Sequence, residues 1–150
     1  MERTLIILKP DAVQRRLAGE IIQRFERKGL KLVAMKLMQI SKETAETHYG
    51  PHKGKPFYDS LVSFMTSAPV VTMVLEGHKA IEVCRKLMGA TFGFDAEPGT
   101  IRGDFGISNQ FNLVHGSDSP EAAAKEIDLF FDAGDLLEYS LADDAWNAAE

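Results

Sequence analysis

Residues 112–118 (Asn-Leu-Val-His-Gly-Ser-Asp) hold the side chain in this chain best suited to covalent chemistry. An apolar stretch leads into His115 and a glycine turn follows it, a pattern that predicts an imidazole presented at the end of a strand. A neutral imidazole, with an ordinary pKa near ~6.5, can accept a phosphoryl group when an acceptor holds its second ring nitrogen. A histidine that only hydrogen-bonds the backbone is the commoner outcome. Spacing alone therefore makes His115 a candidate nucleophile and no more.

Glycine-rich phosphate loops offer no alternative in this sequence. Residues 50–56 (Gly-Pro-His-Lys-Gly-Lys-Pro) superficially resemble a Walker A loop. They are one residue short between the glycines, and Pro56 stands where a hydroxyl should bind magnesium. The spacing of a dinucleotide fingerprint is also missing. Side chains must therefore hold any bound phosphate.

The motif Asn-x-x-His-Gly-Ser-Asp resembles the active-site signature of nucleoside diphosphate kinases. Other motifs of that family follow in the same order along nearly the whole chain: Lys9-Pro10-Asp11, His48-Tyr49, Phe57, Arg85, Thr91 and residues 98–105. The resemblance implies a phosphotransferase that moves the terminal phosphate of a nucleoside triphosphate, such as ATP, to a nucleoside diphosphate. It further implies a ping-pong mechanism through phosphohistidine, formed on Nδ1 of His115.

The resemblance also implies roles for residues around the nucleophile. Glu126 would orient His115 from behind, and Ser117 would help to hold Glu126. Lys9 would contact the transferring phosphate and the ribose hydroxyl. The alternative without a function is a solvated lysine at the end of an edge strand. Tyr49 would donate its hydroxyl near the phosphates.

A nucleotide site is implied as well, consisting of Lys9, Phe57, Leu61, Arg85, Thr91, Arg102 and Asn112. The two arginines would bind phosphate, because guanidinium groups pair with phosphate oxygens and stay charged. Surface salt bridging is the commoner fate of a single arginine. Thr91 would donate to phosphate, and Asn112 would bind the sugar.

Phe57 would stack on the base with little regard for its identity, because every base has a π-face. From periodicity alone, Phe57 is better explained as a core residue with Leu61 and Phe64. The sequence departs from the family pattern at Phe92-Gly93-Phe94, where an Asn-Pro pair is usual, and at Asn109 and Phe111.

Magnesium is the implied cofactor. The sequence shows no compact carboxylate cage, so we expect Mg²⁺ to arrive on the substrate phosphates with several of its waters. Asp118 could assist it through a water molecule.

Periodicity predicts the elements that position these residues. Strands are predicted at residues 5–8, 30–40, 70–75 and 111–115, and helices at residues 12–28, 41–48, 56–64 and 80–88 and after Ser119-Pro120. Ser41 and Ser119 are predicted to cap the helices that they precede. Residues 89–110 are predicted to form a long functional loop. This order indicates an α/β (α+β) fold of ferredoxin-like, split βαβ type, with a four-stranded antiparallel sheet and helices on one face. We expect one domain over residues 1–150.

Composition restricts the partners. The chain has 17 basic and 22 acidic residues, a net charge of −5, which argues against broad attraction to nucleic acid or an anionic membrane. A single cysteine, Cys84, and the lack of a signal pattern or membrane-length apolar run favour the cytoplasm. The resemblance implies a homo-oligomer, either a tetramer or a hexamer, and residues 135–150 are long enough to reach a neighbour.

Two other functions are compatible with the fold. One is a non-catalytic module that stacks single-stranded bases on its sheet, which the overall charge and the lack of an aromatic-rich strand disfavour. The other is a catalytically silent family member that acts as an assembly scaffold.

Overall fold

The structure is a computed structural model that describes residues 1–148. Residues 149–150, the end of the tail predicted to reach a neighbour, lie outside the described residues. The strands are β1 (Glu2–Leu8), β2 (Lys31–Met38), β3 (Val70–Gly77) and β4 (Val114–Gly116). The helices are α1 (Pro10–Gln14), α2 (Ala18–Lys28), α3 (Lys42–His48), α4 (Tyr58–Met65), α5 (Ala80–Met88), α6 (Ile101–Phe105), α7 (Pro120–Phe130) and α8 (Asp144–Asn147).

The four strands form one antiparallel sheet in the order β2-β3-β1-β4. The predicted fold class, a four-stranded antiparallel sheet covered by helices, is therefore confirmed. β1 lies between β3 and β4, and its register places Ile7 opposite His115. The candidate nucleophile is thus attached to the most buried part of the sheet.

Helices cover both faces of this sheet, so the expectation of helices on one face was wrong. Ile6 and Leu8 pack with α1, α2, α5 and α6, whereas Leu5 and Ile7 pack with α3, α4 and α7. Successive side chains of a strand point to opposite faces, and all of residues 4–8 are buried. An unbroken apolar run of this kind needs cover on each side.

Two helix boundaries differ from the prediction for local reasons. The single helix expected over residues 12–28 is divided into α1 and α2, and Arg16 between them has a left-handed φ of 59°. The apolar spacing continues across this break, so periodicity alone could not reveal it. The predicted loop over residues 89–110 contains α6, which is capped by the Thr100 hydroxyl accepting from the Gly103 amide.

Two serine caps are confirmed. Ser41 accepts from the Thr44 amide at the start of α3, and Ser119 accepts from the Ala122 amide at the start of α7. These caps fix the two helices that carry His48 and Glu126. In residues 1–148, no helix combines the length and the apolar character needed to cross a bilayer.

Candidate active site

His115 lies in the middle of the short strand β4 and is held from behind by α7. Its Nε2 is 2.9 Å from Glu126 Oε1, and the Ser117 hydroxyl donates to the same oxygen at 2.7 Å. The side chains of His115 and Glu126 are only 22% and 16% exposed. The structure therefore brings together the three residues that the resemblance assigned to nucleophile, orienting carboxylate and support.

This hydrogen bond selects one form of the histidine ring. A carboxylate only accepts hydrogen bonds, so Nε2 carries the proton and Nδ1 of the neutral ring keeps its lone pair. Burial alone would raise the pKa of Glu126, but the hydrogen bond and charge of His115, together with the Ser117 hydroxyl, hold it below its usual value. Glu126 is therefore ionised at neutral pH.

The end of α3 supplies two buried polar groups, from His48 and Tyr49, to the pocket around His115. The ring of His48 meets the ring of His115 edge-on, with 4.8 Å between centroids, and also contacts Phe130. Among the described residues, His48 Nδ1 and the Tyr49 hydroxyl are buried without a hydrogen-bond partner. Burial, reinforced by the charge of His115, lowers the pKa of His48 to about 3, and burial raises the pKa of Tyr49. The Tyr49 hydroxyl is therefore a protonated donor that has no acceptor within residues 1–148.

Lys9, at the end of β1, joins two other predicted residues in a hydrogen-bonded chain. Its ammonium donates to Asn112 Oδ1 at 2.7 Å, and Asn112 Nδ2 donates to the Thr91 carbonyl at 3.0 Å. Burial, together with the charge of Arg102, lowers the pKa of Lys9 to about 8, although nearby Asp11 raises it. The segments that carry Lys9, Thr91 and Asn112 are thereby fixed relative to one another beside β4.

Asp11 is a positioning residue that the sequence analysis did not assign. Its carboxylate accepts from the Leu113 amide at 3.1 Å, and the Lys9 amide donates to the Leu113 carbonyl at 2.8 Å. Leu113 has a φ of 74°, in the left-handed region that non-glycine residues seldom adopt. The turn at Leu113 explains why β4 starts at Val114 rather than at the predicted residue 111.

The two predicted phosphate-binding arginines have different surroundings. Arg102 is buried and donates to the carbonyls of Asn112, Gly89 and Val114 at 3.1, 3.0 and 2.6 Å. Burial and the charge of Arg85 lower the pKa of Arg102 to about 10. A guanidinium has five N–H donors, so two remain beyond these three bonds. Arg85 is exposed and donates to the Gly116 carbonyl at 3.2 Å.

Phe57 lies just before α4 and is 47% exposed, which rules out the alternative of a core phenylalanine. Aromatic rings connect it to the pocket: Tyr49 and His52 are 6.5 Å apart and His52 and Phe57 are 5.4 Å apart, centroid to centroid. Leu61, one turn into α4, is half-buried against the core. An exposed aromatic face is therefore available beside the pocket.

The remaining candidates lie on the surface. Asp118 is exposed and lines an open depression of about 590 Å³ with Arg85 and Glu82. Phe92 and Phe94 are exposed, and their rings stack at 5.8 Å. The ring of Phe111 packs against Phe64 at 4.8 Å.

Comparisons with known proteins agree on one family. The family model described as nucleoside diphosphate kinase matches residues 2–136. The nucleoside diphosphate kinase of Carboxydothermus hydrogenoformans is 60% identical over 97% of this chain and 98% of that protein. The enzyme of the same name from Halalkalibacterium halodurans is 57% identical over 97% of this chain and 99% of that protein.

Solved structures give the same result. A halophilic nucleoside diphosphate kinase from Halobacterium salinarum in complex with CDP superposes with a TM-score of 0.96 at 51% identity, covering 99% of both chains. A nucleoside diphosphate kinase family protein from Babesia bovis has a TM-score of 0.96 at 45% identity, covering 99% of this chain and 100% of that one.

Proposed function

Because this chain belongs to the nucleoside diphosphate kinase family and is thus a nucleotide-binding phosphotransferase, we propose that it works through a phosphohistidine on His115. The observation that supports this most directly is the hydrogen bond between His115 Nε2 and Glu126 Oε1, 2.9 Å long. It fixes the protonated nitrogen and leaves Nδ1 as the nucleophile.

In the first half-reaction, Nδ1 of His115 attacks the terminal phosphorus of a nucleoside triphosphate. The bond from nitrogen to phosphorus forms as the bond from phosphorus to the bridging oxygen breaks, and the diphosphate leaves with that oxygen. The ring then carries positive charge, which the Glu126 carboxylate stabilises through Nε2–H. A second nucleoside diphosphate takes the phosphoryl group by the reverse steps, which gives ping-pong kinetics.

The basic groups beside β4 would bind the phosphates. Arg85 and Lys9 bring positive charge. Tyr49 brings a buried hydroxyl that lacks an acceptor in the described part of the chain, and Arg102 has two N–H groups beyond its carbonyl bonds. Thr91 would donate its hydroxyl to a phosphate oxygen. Positioning and electrostatic stabilisation supply most of the catalysis of phosphoryl transfer.

The nucleoside would lie along the row of aromatic rings formed by Tyr49, His52 and Phe57. The Halobacterium relative was solved with CDP, and we extend nucleoside diphosphate binding to this chain. Phe57 would stack on the base beside Leu61, and Asn112 would bind the sugar hydroxyl. Stacking is tolerant of base identity, so broad nucleotide specificity follows.

Magnesium would be bound mainly by the nucleotide. Lys9, Arg85 and Arg102 are cationic, so the phosphate-binding groups suit an oxyanion rather than a metal cage. Asp118 is an exposed carboxylate that lines the same depression as Arg85 and could hold a metal-bound water. When bound, Mg²⁺ would neutralise charge on the phosphate oxygens.

We also propose that the chain forms a homo-oligomer, a tetramer or a hexamer, in the cytoplasm. β2 is an edge strand, and its Met35 and Leu37 are 51% and 67% exposed. An apolar sheet edge favours pairing with another chain.

Replacing His115 with Ala tests the proposed function. We expect phosphate exchange between nucleoside triphosphates and diphosphates to be abolished while nucleotide binding persists. His78→Ala, which removes an exposed histidine in the turn after β3, is the matched control and should exchange normally. Phosphate exchange at the full rate by the His115→Ala variant would refute the proposed mechanism.

A further inference from the structure

Two histidines and one carboxylate of the active site are close enough to share a metal ion. A ring nitrogen of His48, a ring nitrogen of His115 and a carboxylate oxygen of Glu126 all lie within 4.8 Å of one another. Tetrahedral zinc with bonds of about 2.0–2.1 Å has ligand atoms roughly 3.4 Å apart. The 2.9 Å between His115 Nε2 and Glu126 Oε1 is already near that spacing, so small side-chain shifts suffice to surround an ion.

From this geometry we propose that His48, His115 and Glu126 form an inhibitory site for a zinc-like transition-metal dication, separate from the magnesium carried by nucleotides. Two imidazoles and one carboxylate form a ligand set that zinc uses with a fourth position open to water. Imidazole nitrogens favour zinc, copper and nickel, whereas magnesium prefers oxygen ligands. Substrate magnesium therefore does not compete for this cluster.

The surroundings of His48 support this role. In residues 1–148, its ring makes no hydrogen bond, and Nδ1 is fully buried. A buried nitrogen without a partner costs free energy. Its ring is fixed by edge-on contacts with Tyr49, His115 and Phe130 at 4.5, 4.8 and 5.4 Å between centroids. A fixed imidazole with unused nitrogens is a preorganised ligand.

The carboxylate also has an outer partner. The Ser117 hydroxyl donates to Glu126 Oε1 at 2.7 Å. Metal-binding carboxylates and histidines are usually oriented by such outer hydrogen bonds, and losing one weakens binding 10- to 100-fold. Ser117 thus holds Glu126 in place for either the His115 ring or a metal ion.

Metal binding and phosphoryl transfer exclude one another at this cluster. An ion on His115 Nε2 takes the lone pair of that nitrogen, so the hydrogen bond to Glu126 is lost and the single proton of the neutral ring lies on Nδ1, where it blocks attack. An ion on Nδ1 occupies the attacking lone pair itself. Either geometry stops phosphohistidine formation; this inhibitory effect, unlike metal binding, rests on the proposed function.

Titration of the untagged chain with Zn²⁺ alone, followed by calorimetry, tests the site without any reaction. We expect one Zn²⁺ per chain, and His48→Phe should weaken binding about tenfold or more. The chain has four histidines, so His52→Gln and His78→Gln are the matched controls and should bind as the unaltered chain does. No Zn²⁺ binding, or loss of binding only in His52→Gln or His78→Gln, would overturn the proposal.

A second variant and a second readout keep the result clear. If circular dichroism shows that His48→Phe is unfolded, His48→Gln provides the same comparison with a polar side chain. Bound Zn²⁺ should block labelling of the chain by radioactive nucleoside triphosphate, a chelator should restore it, and excess Mg²⁺ should not. A chain that binds Zn²⁺ but is never labelled in its absence would refute the proposed function and leave the metal site standing.

Discussion

At the scale of single residues, the candidate chemistry depends on one hydrogen-bonded series: Ser117 to Glu126 to His115. The carboxylate is within 2.9 Å of the ring and is itself held by the serine at 2.7 Å. The serine is buried, and the side chains of His115 and Glu126 are largely buried; electrostatic interactions are stronger in such surroundings than at the surface. The carboxylate can therefore stabilise the positive ring that forms when Nδ1 takes a phosphoryl group.

Replacing Glu126 with Gln keeps the shape of the side chain and removes its charge. A hydrogen bond to a charged group contributes about 1.5–3 kcal/mol, so we expect kcat to fall about 10- to 100-fold. Steady-state exchange kinetics measure this. Glu121→Gln removes an exposed charge from the same helix and should leave kcat unchanged. An equal kcat in both variants would show that Glu126 does not act on the ring.

The buried Lys9 is expected to make kcat/KM depend on pH. Its buried ammonium has a pKa of about 8, below the ordinary 10.5, so its positive charge is present below pH 8 and is lost as the pH rises through that value. We expect kcat/KM, which reports the free enzyme, to fall on the alkaline side with a midpoint near this pKa. Lys9→Ala should have a low kcat/KM without this alkaline fall. An unchanged alkaline limb in the variant would assign the titration to another group.

The sequence indicated some of the site contacts but not others. Family resemblance identified His115, Glu126 and Ser117, and the structure brings them into contact. The resemblance did not indicate that Arg102 donates to three backbone carbonyls, because those carbonyls lie on two segments that are 10 to 13 residues away from Arg102 in the chain. His48 was noted only as part of a motif, since its contact with His115 depends on the packing of α3 against α7.

At the scale of elements, the site is built where α1, β4 and α7 meet the end of β1. Leu113 turns the chain into β4 with a left-handed φ of 74°, and Asp11 and Lys9 hold both of its peptide groups. A strained residue persists when its neighbours fix it from several sides. The approach of His115 to Glu126 therefore depends on α1 as well as on the strand that carries it.

Asp11→Ala tests this dependence. The change leaves the buried Leu113 amide without its acceptor, so we expect the free energy of unfolding to fall by about 1–3 kcal/mol. Urea denaturation measures the loss. Asp11→Asn keeps an acceptor oxygen and should retain most of the stability. Equal stability of the Ala variant and the unaltered chain would show that Asp11 does not hold the turn.

Element boundaries show where sequence patterns stop being informative. Ser41 and Ser119 were predicted as caps because their chemistry is local, and both caps are present. The division between α1 and α2 at Arg16 was missed, because the apolar residues on either side keep helical spacing. Helices on the second face of the sheet were also missed, although the unalternating run at residues 5–8 indicated burial on both sides.

At the scale of the whole molecule, a protein of acidic net charge contains a local cluster of basic side chains. The net charge is −5, while Lys9, Arg85 and Arg102 are gathered near β4. In the proposed function, these groups would attract nucleotide phosphates, and the overall charge would disfavour extended nucleic acid. The fold class could be predicted from the order of elements, but this clustering could not, because it combines segments up to about a hundred residues apart, such as Lys9 and Asn112.

The proposed self-association through β2 also concerns the whole molecule. Leu37 is 67% exposed on this edge strand, and a charge placed there opposes burial in an interface. We expect Leu37→Glu to lower the mass measured by light scattering relative to the unaltered chain. Glu121→Lys, a charge change on exposed α7, should leave the mass as it is. An unaltered chain that scatters as a monomer would contradict the proposed oligomer.

Phosphorus NMR of the chain after treatment with a nucleoside triphosphate tests the central claim most directly. The spectrum distinguishes phosphate on Nδ1 of histidine from phosphate on Nε2 or on a hydroxyl. We expect one acid-labile phosphate per chain, on Nδ1 of His115, that disappears on addition of a nucleoside diphosphate. Phosphate on Nε2, on a serine, or on no residue of a folded and nucleotide-bound chain would contradict it.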